Sequence, residues 1–432
     1  MESEPEQQTI ITSDEPNIIV KASAGSGKSS VLVKAIAYYR KQHPKDRIDA
    51  ITFTRAATEV LRARLSALGV YDVNISTIHV WARNYLEIYS QLYNFNLRVL
   101  NDQDIKAAIN KIVADYPRRV DAAQAYEFIV NNKRLNLADR VKVVFEAIER
   151  RYIIFKRANG LYDFTDYPLY LNDILKKYDE NILDTKALFV DELQDIDAEQ
   201  AYVFERVKAR KKFYIGDEKQ MIYGFRGSSP EIFNRVNESN GFKTYTLKYN
   251  YRSYQEIVDY AMTVYSGLTK EIEDGSHALV SDISWYNSSD IHCTRGVGGS
   301  VTVVSPFGDF MRNNVYPERN INLDTILVDS IDEPQETADS VIQSMLIRSP
   351  QILCRTNKQV DAIKACGYFQ VSTIHQAKGL EYDNVIVVDF PISDSDAINI
   401  AYVAVTRARD NVMIVSMPFL QRLIAHSSNY II

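Results

Sequence analysis

The chain reads as an α/β protein made of two successive doubly wound blocks, and three observations predict this. Short β-branched runs at 17–20, 48–53, 187–190, 213–215 and 244–247, then at 351–354, 371–374, 385–389 and 412–416, alternate with helical patterns. Such alternation is the signature of parallel sheets joined by crossover helices. Polar clusters stand at the C-terminal ends of these runs, where open α/β sheets bind ligands. The first run leads directly into a glycine-rich loop, Lys21 to Ser30, and then a helical pattern from Val31. A length of 432 residues accommodates two or more domains.

That loop, KASAGSGKSS, is a phosphate cradle. Gly25 and Gly27 let the backbone approach an anion with several N–H groups pointing inward, and the new helix offers its positive end. Ala24, Ser26 and Ser30 complete the cradle, Lys28 supplies a point charge for the β and γ phosphates, and Ser29 a hydroxyl for Mg²⁺. The strict phosphate-loop pattern would place glycine at position 22, where Ala22 stands. An ordinary Gly/Ser turn is the alternative for this segment.

Composition narrows the class. No run of about 18 apolar residues exists and residues 1–8 are acidic and polar, so neither a membrane span nor a secretory signal is expected, and the expected compartment is the cytosol. Cys293, Cys354 and Cys366 are too scattered for a disulfide framework. A net charge of −6 argues against a protein that coats nucleic acid through a global basic field, but leaves room for a local cleft.

In chain order, residues 1–16 give a polar start that runs into Ile10 and Ile11, with Gln7 an amide able to read an adenine edge. The run at 48–53 ends in Thr54 and Arg55, and residues 73–78 lead to His79 and Trp81. From 86 to 155 the pattern is helical and locally basic, a helical insertion with a solvated charged face. The run at 187–190 ends in Asp191 and Glu192; two adjacent carboxylates there suit one position holding Mg²⁺ and the other orienting water. After the strand at 213–215 come Gln220, then Tyr223, Phe225 and Arg226, a polar and aromatic mixture suited to stacked bases. Residues 270–325 are polar, turn-rich and poorly periodic, and are expected to be an irregular insertion.

The ordered stretches resemble one family, the UvrD/Rep/PcrA-like helicases of superfamily 1. ASAGSGKS is similar to its phosphate loop, FTRAATEV and STIH to its first two DNA-contacting motifs, VDELQD to its DExx box and GDEKQMIYGFRG to its third motif. NYRS, LCRTN, TIHQAKGLE and YVAVTRAR then follow in the family's order. The resemblance implies two RecA-like P-loop NTPase domains with parallel sheets: residues 1–85 with 156–247 as the first, 86–155 as its small helical insertion, and 248–432 as the second. It also implies ATP and Mg²⁺ as cofactors. Lys28 would neutralise phosphate charge, Ser29 and Asp191 would hold the metal, Glu192 would polarise water, and Gln220 would sense the γ phosphate. Arg252 and Arg407 would act as arginine fingers, Gln7 would read adenine, Tyr251 would stack on it, Glu381 would bond the ribose, and Gly379 would lie in the nucleotide site. For DNA, the matching positions are Thr54, Arg55, His79, Tyr223, Phe225, Arg226, Arg355, Asn357, Thr373 and His375.

Two departures stand out. The Asn-Lys step of the first DNA motif is absent, with Arg55 the only nearby cation. The interval between Asn357 and Val371 is too short for the accessory domain, called 2B, that larger relatives insert there. The expectation is an ATP-dependent 3′–5′ DNA helicase or single-stranded DNA translocase, acting on single strands and on single/double-strand junctions. A monomer is expected, with no membrane association, in a bacterial cytoplasm or a virus-infected host cell, with replication or repair proteins as partners. The alternative is a DNA-stimulated translocase that displaces proteins without efficient unwinding; a P-loop ATPase or kinase unrelated to DNA ranks below both.

Overall fold

A computed structural model describes residues 5–116, 120–130, 139–178, 184–224, 228, 234, 236, 241–273, 278–279, 291–305, 323–327, 342, 344–388, 390–392, 395–417, 420–421 and 424. The first part of the chain runs α1 (Pro5–Ile11), β1 (Asn17–Ala22), α2 (Lys28–Gln42), β2 (Ile48–Thr52), α3 (Arg55–Ala67), β3 (Asn74–Thr77) and α4 (Ile78–Leu92). Helices α5 (Asp102–Ala114), α6 (Ala122–Val130), α7 (Asp139–Asn159) and α8 (Tyr167–Lys177) follow, then β4 (Ala187–Val190), α9 (Ala198–Glu205), β5 (Lys211–Gly216), β6 (Lys243–Leu247) and β7 (Tyr249–Asn250). The last part holds α10 (Gln255–Glu273), β8 (Ala278–Leu279), β9 (His292–Cys293), β10 (Ser300–Ser305), β11 (Leu323–Leu327) and β12 (Gln351–Cys354). It closes with α11 (Asn357–Ala365), β13 (Val371–Thr373), α12 (Ile374–Ala377), β14 (Tyr382–Val388), β15 (Pro391–Ile392), α13 (Ser395–Val405) and β16 (Ala408–Val415).

By their contacts these elements fall into two units, Met1–Pro44 with Phe189–Asp197 and Lys211–Ile432, and Lys45–Leu188 with Ala198–Arg210. In the larger unit β1 lies parallel between β5 and β6, and Ile18, Ile19 and Val20 are wholly buried. An unbroken apolar run is what a parallel strand covered on both faces requires. The second sheet has the order β11-β10-β16-β14-β12-β13, and its pairs are parallel. One face is covered by α10 and α13, where Ile257, Ala261, Ala401 and Val405 meet Val385, Val387 and Ile414. On the other face Ile363 of α11, with Met345 and Leu420, covers Ile352, Ile386 and Met413. Helices on both faces make this block doubly wound, as expected.

The smaller unit pairs β2 with β3 in parallel. Its helical part, α5 to α7, has its own core of Ile105, Ile109, Phe128, Phe145 and Ile148. Within 86–155 no strand occurs among the described residues; of its basic residues Lys111 is exposed, while Arg118, Arg119, Lys133 and Arg134 lie outside the described residues.

The polar start forms α1, which buries Gln7, Ile10 and Ile11. One expectation needs correcting: the stretch 270–325 is not irregular throughout. It contributes β10 and β11 to the second sheet, with β10 paired to both β11 and β16. The glycines flanking β10 hid its period: at Gly299 a Cβ would lie 2.7 Å from Tyr254 Cβ and 2.9 Å from the Asp410 carbonyl, so they mark close backbone approach. The interval after β12 is filled by α11 and a turn before β13.

Candidate nucleotide-binding and catalytic site

The loop after β1 enters α2 through Gly25 and Gly27, both with positive φ (72° and 81°). Gly25 is needed for space as well: a Cβ there would lie 2.6 Å from Asn250 Nδ2 and 2.8 Å from Arg252 Cβ. Segment 250–252 therefore sits directly on the loop. Asn250 Nδ2 donates to the Ala24 carbonyl at 2.7 Å, and the Tyr251 N–H donates to the Gly25 carbonyl at 2.8 Å. Tyr402 of α13 accepts from the Ala24 N–H at 3.5 Å through its hydroxyl. Inside the loop, Ser26 Oγ donates to the Ser23 carbonyl at 2.7 Å, and Gln7 Nε2 reaches the Ser26 carbonyl at 3.4 Å. Gln7 thus borders the cradle, and Tyr251's ring stands beside Gly27. Ser29 and Ser30 lie in the first turn of α2.

At the end of β4 the chain turns sharply, and Glu192 takes a left-handed backbone (φ 53°) that costs on the order of 1–3 kcal/mol. Its Oε2 accepts from Lys28 Nζ at 3.4 Å and from Gln194 Nε2 at 2.6 Å. Burial opposes its charge, but Lys28, Lys378 and these hydrogen bonds outweigh burial and hold the carboxyl well below the usual carboxylate range. Asp191 is displaced the other way: burial and the charge of Glu192 push it up, against the pull of Lys28. The pair is thus split into one carboxyl held low and one pushed up.

A polar chain runs on from Glu192. Gln194 Oε1 accepts from the Asp217 N–H at 3.0 Å, Gln220 Nε2 donates to Asp217 Oδ2 at 2.7 Å, and Arg407 Nη2 reaches Gln220 Oε1 at 3.5 Å. Lys378 ties in from the side, donating to Asp195 Oδ2 at 2.6 Å and to the Gln220 carbonyl at 2.9 Å. Arg407 is 1% exposed and held by the Val403 and Leu380 carbonyls at 3.0 and 3.1 Å. Burial and Arg252 press its pKa down, while Glu192 and Glu381 hold it up. Arg252 pairs with Glu381 Oε1 at 2.7 Å and donates to the Thr406 carbonyl at 3.0 Å. Gly379, with positive φ, stands two residues before Glu381.

The structure brings Gln7, Lys28, Asp191, Glu192, Gln220, Tyr251, Arg252, Glu381 and Arg407 into this one network of the larger unit. It also adds residues to which no role was assigned from sequence: Asn250, which fastens the loop, Gln194, which joins Glu192 to Asp217, and Tyr402. Gln194 lies inside VDELQD, two residues after Glu192, and that polar residue in a buried turn was the available signal.

The DNA-side residues are distributed differently. In the smaller unit Thr54 caps α3, accepting from the Ala57 N–H at 3.1 Å, and Arg55 beside it is exposed. His79 stacks on Phe164 with ring centroids 5.2 Å apart. In the larger unit the Tyr223 and His375 rings lie 6.1 Å apart, and His375 Nε2 is 3.3 Å from the Ile222 carbonyl. Arg355 lies over the Phe390 ring at 5.5 Å, Asn357 is the exposed first residue of α11, and Thr373 caps α12. Phe225 and Arg226 lie outside the described residues. Among the described residues no helix is long and apolar enough to cross a membrane.

A phosphate loop, an acidic strand end and guanidinium groups meeting on two parallel α/β blocks define the class, a P-loop nucleoside triphosphatase. The family model described as UvrD/REP helicase N-terminal domain matches residues 3–240, more than half of the chain, and that of the UvrD-like helicase C-terminal domain matches 368–415. The chain belongs to the UvrD/REP helicase family, whose members are ATP-dependent enzymes. It is 24% identical over 459 residues to a probable DNA helicase of Mycoplasma pneumoniae, covering 95% of this chain and 83% of that one. With a probable DNA helicase II homolog of Rickettsia conorii it shares 28% over 297 residues (60% and 44% of the two chains), and with DNA helicase II of Escherichia coli 28% over 291 (59% and 39%). The chain thus spans less than half the length of those two helicase II relatives. A crystal structure of Arterivirus nonstructural protein 10 (helicase) is similar at a TM-score of 0.39 and 13% identity, covering 95% of this chain and 61% of that one.

Proposed function

We propose that the chain is an ATP-dependent DNA helicase that translocates 3′ to 5′ on single-stranded DNA, hydrolysing Mg-ATP at the loop where its two RecA-like blocks meet. The observation that carries this is the docking of 250–252 on the phosphate loop, with Asn250 on Ala24 and Tyr251 on Gly25, which puts Arg252 at the cradle's rim. In this reading 1–85 with 156–247 form the first block, 86–155 its insertion and 248–432 the second, without a full 2B domain. Polarity and a monomeric state are carried over from the family resemblance, and so are replication or repair proteins as partners and a cytoplasmic setting in a bacterium or a virus-infected cell.

The residues fit the substrate and its metal. Asp191 is pushed toward its protonated form by burial and by Glu192, and a cation beside it removes that penalty. Ser29 and Asp191 would hold Mg²⁺, which would supply charge neutralisation on phosphate oxygens. Lys28, now on Glu192, would pass to the phosphates and leave that carboxylate free to orient and deprotonate water. Gln220 bridges Asp217 and Arg407, so it can report on the phosphate between the blocks. Arg407 and Arg252 supply positive charge where it develops in phosphoryl transfer. Tyr223 and His375 offer ring faces, which stack on any base; Thr54, Arg55, His79, Arg355, Asn357 and Thr373 provide polar contacts.

The test is ATP hydrolysis with and without single-stranded DNA for the parent, Lys28→Ala and Arg407→Ala. Strong stimulation of the parent is expected, with hydrolysis down at least about 10²-fold in the first variant and about 10³-fold in the second. Parent-like hydrolysis in Lys28→Ala would end this reading. A second reading, a translocase that displaces proteins but unwinds poorly, is favoured by α11 and a turn filling the interval where relatives carry an accessory domain. Strand-separation and streptavidin-displacement assays run side by side distinguish the two.

A further inference from the structure

Glu381 has both carboxylate oxygens occupied by guanidinium groups. Its Oε1 takes Arg252 at 2.7 Å on the inner side, and its Oε2 takes Arg409 Nη2 at 3.0 Å and Nε at 3.2 Å on the outer side. Arg409 is anchored in turn by Asp383 Oδ1 at 3.4 Å. The result is an ion chain, Asp383 to Arg409 to Glu381 to Arg252, that ends on the Thr406 carbonyl. Its outer members line a polar cavity of about 290 Å³ together with Arg348 and Asn384. Burial opposes the charge on Glu381, but Arg252 and Arg409 together keep its carboxyl low. Arg409 reaches no phosphate-loop residue and has no assigned role. Both nitrogens of its fork converge on the one oxygen of Glu381 that Arg252 leaves open.

We propose that Arg409 is a positioning residue: by clamping the outer oxygen of Glu381 it fixes that carboxylate, and through it Arg252, in the orientation that receives the nucleotide. This rests on the nucleotide site proposed above. Without Arg409 the Glu381 carboxylate is free to rotate, and Arg252 loses its fixed partner. A lysine keeps the charge but lacks the planar fork that aims two donors at that oxygen.

The test is steady-state ATP hydrolysis by the full chain with saturating single-stranded DNA, for Arg409→Ala, Arg409→Lys, Glu381→Gln and the double variant Glu381→Gln/Arg409→Ala. For Arg409→Ala, the KM for ATP should rise roughly fivefold, near the upper end for a half-exposed pair, with a smaller change in kcat; Arg409→Lys should recover part of the loss. In the Glu381→Gln background the alanine change should add nothing further, because the residue it acts through is already altered. The inference is overturned if Arg409→Ala leaves KM unchanged. It is also overturned if the effect persists in full in the Glu381→Gln background, as loss of general stability would produce. Lys28→Ala in the same assay separates the two levels. Parent-like hydrolysis there removes the nucleotide site itself, whereas a silent Lys28→Ala beside a parent-like Arg409→Ala removes only the role of Arg409.

Discussion

Two acids near strands of the chain, Asp49 and Asp191, live under opposite conditions. Asp49, on β2 in the smaller unit, is wholly buried and saturated with donors: Asn74 Nδ2 at 2.7 Å, Trp81 Nε1 and Tyr85 Oη at 3.0 Å, and Thr185 Oγ1 at 2.5 Å. Arg47 stands 3.6 Å away. Asp191, just past β4 in the larger unit, accepts the N–H of Glu192 at 3.0 Å and is pushed up by burial and by its neighbour's charge. A carboxylate whose lone pairs are all taken by the protein can only hold a structure together. One pushed up by burial and a neighbouring carboxylate, beside a phosphate loop, stands where the proposed metal would sit.

The comparison is most exposed to test through activity. Asp191→Asn should lower DNA-stimulated ATP hydrolysis about 10³-fold, because the settled carboxylate of Glu192 cannot also supply the metal-side oxygen. A fall of less than about tenfold would place Asp191 with Asp49 as scaffold. Asp49→Ala should instead act on folding. It strands the buried donors of Trp81, Tyr85 and Thr185 and should cost about 3–5 kcal/mol in urea unfolding; a cost under about 1 kcal/mol would mean that the network is not what holds β2 to α4.

Stability against pH sharpens the contrast further. Folding raises the Asp191 pKa above its ordinary 3.8, so between those values the folded chain binds more protons than the unfolded one, and stability falls as pH rises through that window. Asp191→Asn should therefore melt higher than the parent at pH 8, with the gain shrinking as the pH is taken down toward 4. An equal difference at both pH values would contradict this. The smallest effect belongs to a solvated acid. Glu87, paired with Arg83 at 2.8 Å with both side chains about half exposed, should lose only about 0.3–0.5 kcal/mol as Glu87→Gln, and less in high salt.

Much of the candidate nucleotide site was legible because its signals are local. A buried run followed by GSGKS specifies a strand, a loop with positive φ and a helix start within a dozen residues, and the structure contains all three. Asp191 and Glu192 were legible for the same reason, as charges at the end of a core strand. The role of Asn250 was hidden because its partner is the backbone carbonyl of Ala24, distant in sequence and carrying no side-chain signature. Asp49 reads as one acid inside an apolar run, and nothing nearby announces Trp81, Tyr85 and Thr185 as its donors. β10 was missed because its glycine flanks look like a loop until Tyr254 and Asp410 are seen against them. Arg409 could be read as one more basic residue of TRAR until Glu381 was found between it and Arg252.

The sequence by itself determined the chemistry: which residues can cradle phosphate, hold a divalent cation, polarise water and supply guanidinium charge, since those capacities belong to side-chain types in short, ordered motifs. Only the tertiary structure decided which of them act together and in what electrostatic state. That the Glu192 carboxyl is held low while that of Asp191 is pushed up, that Arg252 is held by Glu381 and Arg407 beside Gln220, all follow from burial and from distances of about 3 Å between residues far apart in the chain. Hydrogen bonds and Coulomb interactions depend on separation in space, and separation along the chain carries no record of it.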